Sequence, residues 1–83
     1  MKTTRYFDEQ VLCRRPYLTI DLCSDALAAP VRRDVQNDGR IRIWGRLTLP
    51  NETEARILRV VLLEDGVTVH NAFLDRSFRE AQS

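Results

Sequence analysis

Hydrophobic and polar residues alternate in two stretches of the second half of the chain. The first is "VRRDVQNDGRIRIWGRLTL" (residues 31–49) and the second is "RILRVVLLEDGVTVHNAF" (residues 56–73), each interrupted by an Asp-Gly pair. A period of two is the pattern of a strand with one buried face, and Asp-Gly pairs are typical of tight turns. The two stretches therefore predict two β-hairpins, which together supply four antiparallel strands.

The length of the first turn can be inferred from the side chains that flank it. A two-residue Asp-Gly loop would place Asp34 opposite Ile43 and would mix polar and apolar residues on one face. A three-residue loop at residues 37–39, with its glycine in the left-handed conformation of a bulge, pairs Val35 with Ile41 instead. We therefore expect the longer loop.

The second turn, at Glu64-Asp65-Gly66, is expected to have the same geometry. This register predicts three cross-strand pairs, which are Leu63 with Val67, Val61 with Val69, and Ile57 with Phe73. One face of the sheet then becomes consistently apolar, and we expect helices to cover that face.

Two helices are predicted before the sheet. The first lies within residues 6–15, where Asp8 is the expected N-cap and Pro16 ends the helix. The second begins after Thr19, its expected N-cap, and ends before Pro30. Its apolar residues recur at helical spacing, at Ile20, Cys23 and Leu27.

This order of elements predicts an α+β fold with two N-terminal helices packed on a four-stranded antiparallel β-meander. The polar segment at residues 50–55 is expected to be a surface loop between the hairpins. A chain of 83 residues is expected to form one domain, residues 1–83. The predicted core consists of Ile20, Leu27, Ile41, Ile43, Ile57, Val61, Val69 and Phe73.

The composition mainly excludes several classes of protein. The chain is 43% hydrophobic and 30% charged, which is typical of a soluble globular protein. It has no apolar run near the roughly 20 residues of a membrane span, and its first residues lack the apolar stretch of a signal peptide. We therefore expect a cytoplasmic protein without a membrane partner.

The sequence predicts neither a metal site nor a cofactor. Cys13 and Cys23 have no second cysteine pair and no histidine near them, so we interpret them as buried or partly buried thiols in preference to a disulfide or a nucleophile. No glycine-rich phosphate loop or nucleophile motif is present. A single histidine, His70, is too few for a histidine-based metal site.

The face of the sheet away from the helices is predicted to carry the candidate binding and catalytic residues. In the expected register it carries basic and aromatic residues of the second strand, followed by residues of the third and fourth strands: Arg40, Arg42, Trp44, Arg46, Leu58, Val60, Leu62, Thr68, His70 and Ala72. Guanidinium groups bind phosphates and stack on bases, so this arrangement predicts a surface for single-stranded nucleic acid.

Less specific interpretations stay open for the same residues. Arginines on alternate positions of a strand also occur on any solvated face, and Trp44 could be covered by the N-terminal segment or by the C-terminal tail, where Phe73 and Phe78 could pin the chain to the sheet. His70 suits acid–base chemistry near neutral pH but is also an ordinary strand residue. The net charge of +1 does not by itself indicate nucleic-acid binding, and the sequence leaves open whether the protein is an enzyme.

Several segments together resemble a group of small, mostly uncharacterised bacterial and cyanobacterial proteins. These segments are "RYFDEQVL", "RRPYL", "VQNDGRIRIWGR", "LRVVLLEDG" and "VHNAFLDRSF", and the resemblance extends from Arg5 to Arg79. More distantly, the helices followed by a meander, the basic sheet residues and "HNAF-DR-F" are similar to the RelE and BrnT class of toxin ribonucleases.

That distant resemblance implies a role for individual residues. Proteins of this class cut mRNA by placing the 2′-hydroxyl against the adjacent phosphate, and basic residues hold the phosphate. The implied phosphate contacts are Arg42, Arg46 and Arg59, and His70 is the implied acid or base. In the expected register Arg59 points towards the helices, opposite Asn71, and a shift of one residue would turn it outward.

Two functional hypotheses follow. The first is an RNA-binding or RNA-cleaving protein of a toxin–antitoxin type system, whose partners would be single-stranded RNA or the ribosome and an antitoxin-like protein. The second is a non-enzymatic interaction module, in which Trp44 and the apolar residues Leu58, Val60 and Leu62 bind another protein or a second copy of the chain.

Overall fold

The structure is a computed structural model that describes residues 1–78. Its helical elements are a π-helical segment (Phe7–Val11), α1 (Leu12–Arg14) and α2 (Ile20–Ala28), and its strands are β1 (Pro30–Val35), β2 (Ile41–Leu47), β3 (Arg56–Leu62) and β4 (Val69–Leu74). The strands form one antiparallel sheet in the order β1-β2-β3-β4, so the predicted α+β fold with an antiparallel meander is confirmed. The last residues of the chain, including Arg79, lie outside the described part.

The first hairpin has the predicted register. Val35 pairs with Ile41, and the backbone N–H of Gln36 donates to the carbonyl of Arg40 across the loop at 2.7 Å. Gly39 has a φ of +89°, the left-handed conformation that a glycine adopts without steric cost. The three-residue loop predicted at residues 37–39 is therefore confirmed.

The predicted geometry of the second hairpin is wrong. Leu63 does not pair with Val67, because its N–H donates to the carbonyl of Thr68 at 2.9 Å. The carboxylate of Asp65 accepts hydrogen bonds from the backbone N–H groups of Val67 at 3.0 Å and Thr68 at 2.9 Å, and it also accepts from the Thr68 hydroxyl. These side-chain bonds close a loop that is one residue longer than expected.

An irregularity in β4 changes the register a second time. Leu62 pairs with Val69, but Val61 pairs with Asn71, so His70 is the extra residue of a β-bulge. The predicted pair of Val61 with Val69 is therefore absent, and Phe73 lies opposite Arg59. Asn71 and Phe73 consequently share a face with Val61 and Arg59, the residues with which they pair on β3.

The pairing of β2 with β3 places a different set of residues under the helices than expected. Ile43 pairs with Val60 and Gly45 pairs with Leu58, so these residues share a face. The side chains of Leu58 and Val60 are fully buried, and Leu62 is nearly so. The three aliphatic residues predicted to be exposed therefore belong to the core, and the interaction module predicted on them has no exposed surface there.

The second helix forms and packs largely as expected. The Thr19 hydroxyl accepts a hydrogen bond from the backbone N–H of Leu22 at 3.1 Å, which is the predicted N-cap. α2 lies against β2, because a Cβ built on Gly45 would meet the carbonyl oxygen of Ala26 at 1.9 Å. We call the face of the sheet that carries Gly45 the covered face.

The N-terminal segment lies along the outer edge of β4. Thr3 forms a parallel bridge with Val69, so the chain enters the fold at this edge. The predicted first helix corresponds to the π-helical segment and α1. Thr4 caps its N-terminal end, because the Thr4 hydroxyl accepts a hydrogen bond from the backbone N–H of Phe7 at 3.1 Å. The prediction of Asp8 as the cap is wrong, because this carboxylate instead accepts from the Thr3 hydroxyl at 2.7 Å.

The core joins both helices to the covered face. Among its fully buried residues are Phe7, Val11 and Cys23 from the helices and Leu58, Val60 and Val69 from the sheet. Of the predicted core residues, Ile41 and Val69 are buried, and Leu27 and Ile43 pack partly buried against the core. Ile20 is exposed on the first turn of α2, while Ile57, Val61 and Phe73 are half-buried on the opposite side of the sheet. Within residues 1–78, no helix is long and apolar enough to span a bilayer.

The close approach of α2 to β2 yields a prediction about stability. Gly45→Ala should lower the free energy of unfolding by about 1–3 kcal/mol, because the new methyl group would force the backbone of Ala26 away from the sheet. Thr48→Ala, at an exposed position just beyond β2, is the matched control and should change it by less than about 0.5 kcal/mol. Urea unfolding of both variants measures the difference, and equal stabilities would contradict the packing described.

Candidate nucleic-acid interface

The sheet has a second face that the helices do not cover, which we call the open face. Its residues alternate with those of the covered face in the observed register, and they are Arg32 and Asp34 of β1, Arg42, Trp44 and Arg46 of β2, Ile57, Arg59 and Val61 of β3, and Asn71 and Phe73 of β4. Four of these are arginines and one is an aspartate. The observed pairing of β3, which differs from the expected one, brings Arg59 to this face beside Trp44.

Trp44 is the centre of the open face. Although no helix covers it, the residue is only 6% exposed. Its indole Nε1 donates a hydrogen bond to the Asp75 carboxylate at 2.9 Å, and its ring stacks on Phe78 with centroids 5.7 Å apart. The interpretation that the C-terminal residues cover Trp44 therefore agrees with the structure.

Three guanidinium groups surround the same indole ring. The guanidinium carbon lies 5.3 Å from the Trp44 ring centroid for Arg32, 5.4 Å for Arg42 and 5.8 Å for Arg59. The guanidinium of Arg59 also lies 4.5 Å from the ring centroid of Phe73. Cation–π attraction at these distances holds the arginine heads near the sheet instead of in bulk water.

Arg42 and Arg59 each have an acidic neighbour, but each also has an N–H group without a hydrogen-bond acceptor among the described residues. Arg42 forms an ion pair with Asp34, and Nη1 of Arg59 lies 3.9 Å from the Asp75 carboxylate. The Nε atoms of both arginines are buried and have no hydrogen-bond partner among the described residues. Their side chains remain 28% and 29% exposed, so part of each arginine is accessible to a ligand.

Asp75 connects Trp44 to the end of the described chain. Besides the indole N–H, its carboxylate accepts from the Ser77 hydroxyl at 2.7 Å and from the backbone N–H groups of Ser77 and Phe78, each at 3.1 Å. The hydrogen bond from the Ser77 side chain, followed by that from Trp44, lowers the pKa of Asp75. The carboxylate is therefore ionised at neutral pH, and its side chain is only 10% exposed.

The remaining predicted binding residues lie at the periphery. Arg40 is exposed in the first hairpin loop, where its Nε is 3.9 Å from the Asp38 carboxylate, and it lines a shallow cavity between the two hairpin loops with Glu64. Arg46 is exposed near the end of β2, opposite Ile57. The sequence pattern did not single out Arg32, although the confirmed register of the first hairpin places it directly opposite Trp44.

His70 contacts the N-terminal segment at the outer edge of β4, where its neighbour Val69 bridges to Thr3. There it stacks on Tyr6 with centroids 4.9 Å apart, and its Nδ1 lies 3.0 Å from the Thr4 hydroxyl. Among the described residues, the side-chain contacts of His70 are therefore with the N-terminal segment and not with Arg42 or Trp44.

The surroundings of His70 disfavour its charged form. Partial burial lowers its pKa, and the positive charge of Arg40 lowers it further. The Thr4 oxygen already accepts the N–H of Phe7, which leaves the hydroxyl proton free for donation to an unprotonated Nδ1. The geometry suits a neutral imidazole that holds the N-terminal segment against β4.

No cluster of three or more histidine, cysteine or acidic side chains within residues 1–78 is arranged to hold a metal ion. Both cysteines are free thiols, and Cys23 is buried as expected, but the expectation of a buried or partly buried thiol is wrong for Cys13, which is exposed. Burial raises the pKa of Cys23 to about 11, so this thiol is protonated and inert near neutral pH.

The environment of His70 predicts how stability depends on pH. Because folding lowers the pKa of His70, the unfolded chain binds a proton at a higher pH than the folded protein does. The free energy of unfolding should therefore fall as the pH decreases through the ordinary value of 6.5, and it should level off below the folded pKa. Urea unfolding between about pH 7.5 and about pH 5 measures this change.

His70→Gln is the control for this pH dependence, because the chain contains no other histidine. The variant should lose the dependence over that range while keeping a polar group beside Thr4. A wild-type protein whose stability rises on acidification from neutral pH would show that folding favours the charged imidazole and would contradict the environment described.

Comparison of the chain with protein-family models, with curated proteins and with solved structures finds no match. The geometry of the open face is therefore the basis for the functional proposal that follows.

Proposed function

We propose that the protein binds single-stranded RNA on the open face of its sheet. The observation that carries the proposal is the gathering of the guanidinium groups of Arg32, Arg42 and Arg59 around Trp44 on a face that no helix covers. Guanidinium groups donate to phosphate oxygens in pairs, and aromatic rings stack on unpaired bases. This one cluster contains both kinds of group.

Local charge supports an anionic ligand even though the whole chain is nearly neutral. The four arginines of the open face outnumber its acidic neighbours Asp34 and Asp75. Among the described residues, these two carboxylates therefore offset only part of the positive charge of the face. A polyanion would therefore be attracted to this face, whereas the net charge of +1 gives little attraction elsewhere.

The proposal favours binding over cleavage. A nuclease of the RelE and BrnT class would need its acid or base next to the bound phosphate, but the His70 ring is held against Thr4 and Tyr6 of the N-terminal segment. A role within a toxin–antitoxin type system accordingly rests on the sequence resemblance and on the meander with basic residues. A catalytic role for His70 stays a prediction with its own test.

Substitution on the two sides of the sheet tests the binding proposal. Arg42→Gln should weaken binding of a single-stranded oligouridylate and reduce the slope of log affinity against log salt by about 0.7 for each phosphate that the variant no longer neutralises. Arg33→Gln is the matched control, because Arg33 is an exposed arginine of the same hairpin that pairs with Ile43 and so points away from the open face. Fluorescence anisotropy at several salt concentrations gives both quantities.

Two results would contradict the proposal. Equal decreases of affinity in Arg42→Gln and Arg33→Gln would show that binding depends on total charge and not on the open face. A folded wild-type protein that fails to bind oligouridylate even at low salt would remove RNA as the ligand. Circular dichroism of each variant separates a binding defect from a folding defect.

A second experiment addresses cleavage directly. Wild type and His70→Ala are incubated with mRNA in the presence and absence of ribosomes, and the products are separated on a denaturing gel. We expect no cleavage by either protein, because the His70 ring contacts Thr4 and Tyr6 instead of the arginines around Trp44. Cleavage by the wild type that disappears in a folded His70→Ala variant would instead assign His70 as the catalytic acid or base.

A further inference from the structure

The last described residues form a turn that occupies the centre of the open face. We call this segment, residues 75–78, the C-terminal turn. It places a carboxylate, that of Asp75, 2.9 Å from the indole Nε1 of Trp44 and 3.9 Å from Nη1 of Arg59. It also places a phenyl ring, that of Phe78, in a stack on Trp44 with an interplanar angle of 24°.

The two groups that the turn presents correspond to the two parts of a nucleotide. A phosphate is an anion that accepts hydrogen bonds from guanidinium groups, and the Asp75 carboxylate is the anion beside Arg59. A base is a flat ring that stacks on an aromatic side chain, as the Phe78 ring does on Trp44. Anion and ring are held together in one turn, because Asp75 also accepts the backbone N–H of Phe78.

We infer that the C-terminal turn occupies the position of one nucleotide of the bound strand and is displaced when RNA binds. This inference rests on the proposed function and adds the kind of ligand and its mode of entry. The site accepts an unpaired nucleotide, whose base stacks on Trp44 in place of Phe78 and whose phosphate replaces the Asp75 carboxylate beside Arg59. Base-paired RNA, whose bases are stacked within the helix, cannot take this position.

The burial of Trp44 makes displacement a requirement. With only 6% of the residue exposed, the indole has too little free surface for a base to stack on it while Phe78 remains in place. Displacement breaks the stack and the hydrogen bond from Nε1 to Asp75, so part of the binding free energy is spent on opening the turn. Weakening the turn should therefore tighten RNA binding, although it removes a favourable interaction from the free protein.

Phe78→Ala is the variant that tests this expectation. It should bind single-stranded oligouridylate about two- to tenfold more tightly than the wild type, the range that corresponds to one aromatic stack. Phe73→Leu is the matched control, since it removes an aromatic ring of the same face that lies beneath Arg59, and it should bind no more tightly than the wild type. A fully paired RNA hairpin of equal length should bind all three proteins equally weakly.

Fluorescence gives a readout that does not require RNA. Trp44 is the only tryptophan, so quenching of its emission by acrylamide reports on this site alone. Phe78→Ala should raise the quenching constant in the absence of RNA, whereas Phe73→Leu should leave it near the wild-type value. Oligouridylate added to the wild type should quench the emission, because a base stacks on the indole.

The outcomes separate failure of this inference from failure of the proposed function. If the wild type binds RNA through Arg42 but Phe78→Ala binds equally or more weakly, the inference that RNA displaces the C-terminal turn is wrong. The open face then remains the RNA site. If no variant binds RNA, both proposals are overturned. An unchanged quenching constant in Phe78→Ala would also overturn the inference, because it would show that Phe78 does not cover Trp44 in solution.

Discussion

The backbone of α2 lies so close to β2 that only glycine fits at position 45, and this contact decides which side of the sheet the helices cover. Because side chains alternate along a strand, placing Gly45 beneath α2 turns its neighbour Trp44 to the opposite side. The pairing of β2 with β3 extends the same division, with Leu58 and Val60 in the core and Arg59 outside it. The composition of the open face follows from a single point of helix–sheet packing.

A tryptophan on a face without helices must still be removed from water, and the chain achieves this with short-range contacts. Three arginines, an aspartate and the ring of Phe78 surround the Trp44 indole and leave little of it exposed. These groups differ from those of an aliphatic core because most of them are polar and partly solvated, and each of their interactions with the indole is weak. They can be exchanged for ligand groups of the same chemistry, which is the basis of both functional proposals.

Much of the architecture can be predicted from the sequence, but the faces of its second hairpin cannot. Strand alternation and the positive φ of Gly39 determine the first hairpin. Arg42 and Arg46 lie on the same face as Trp44 because alternate residues of a strand share a face. The second hairpin depends on the side-chain hydrogen bonds of Asp65 and on a bulge at His70, which a pattern of polar and apolar residues does not encode. One signal was available: the alternate residues Leu58, Val60 and Leu62 of β3 are all apolar, whereas Arg59 lies between Ile57 and Val61 in the other set.

Titration of the isotopically labelled protein with a short oligouridylate, followed by NMR, tests the central claim most directly. Trp44 contributes the one indole N–H signal of the chain, and side-chain signals distinguish the two faces of the sheet because side chains project alternately to either face. We expect the indole signal and those of Arg42, Arg59 and Phe78 to shift together, while the signals of α2 remain unchanged. Shifts confined to the helices, or none at RNA concentrations that saturate binding, would contradict RNA binding on the open face.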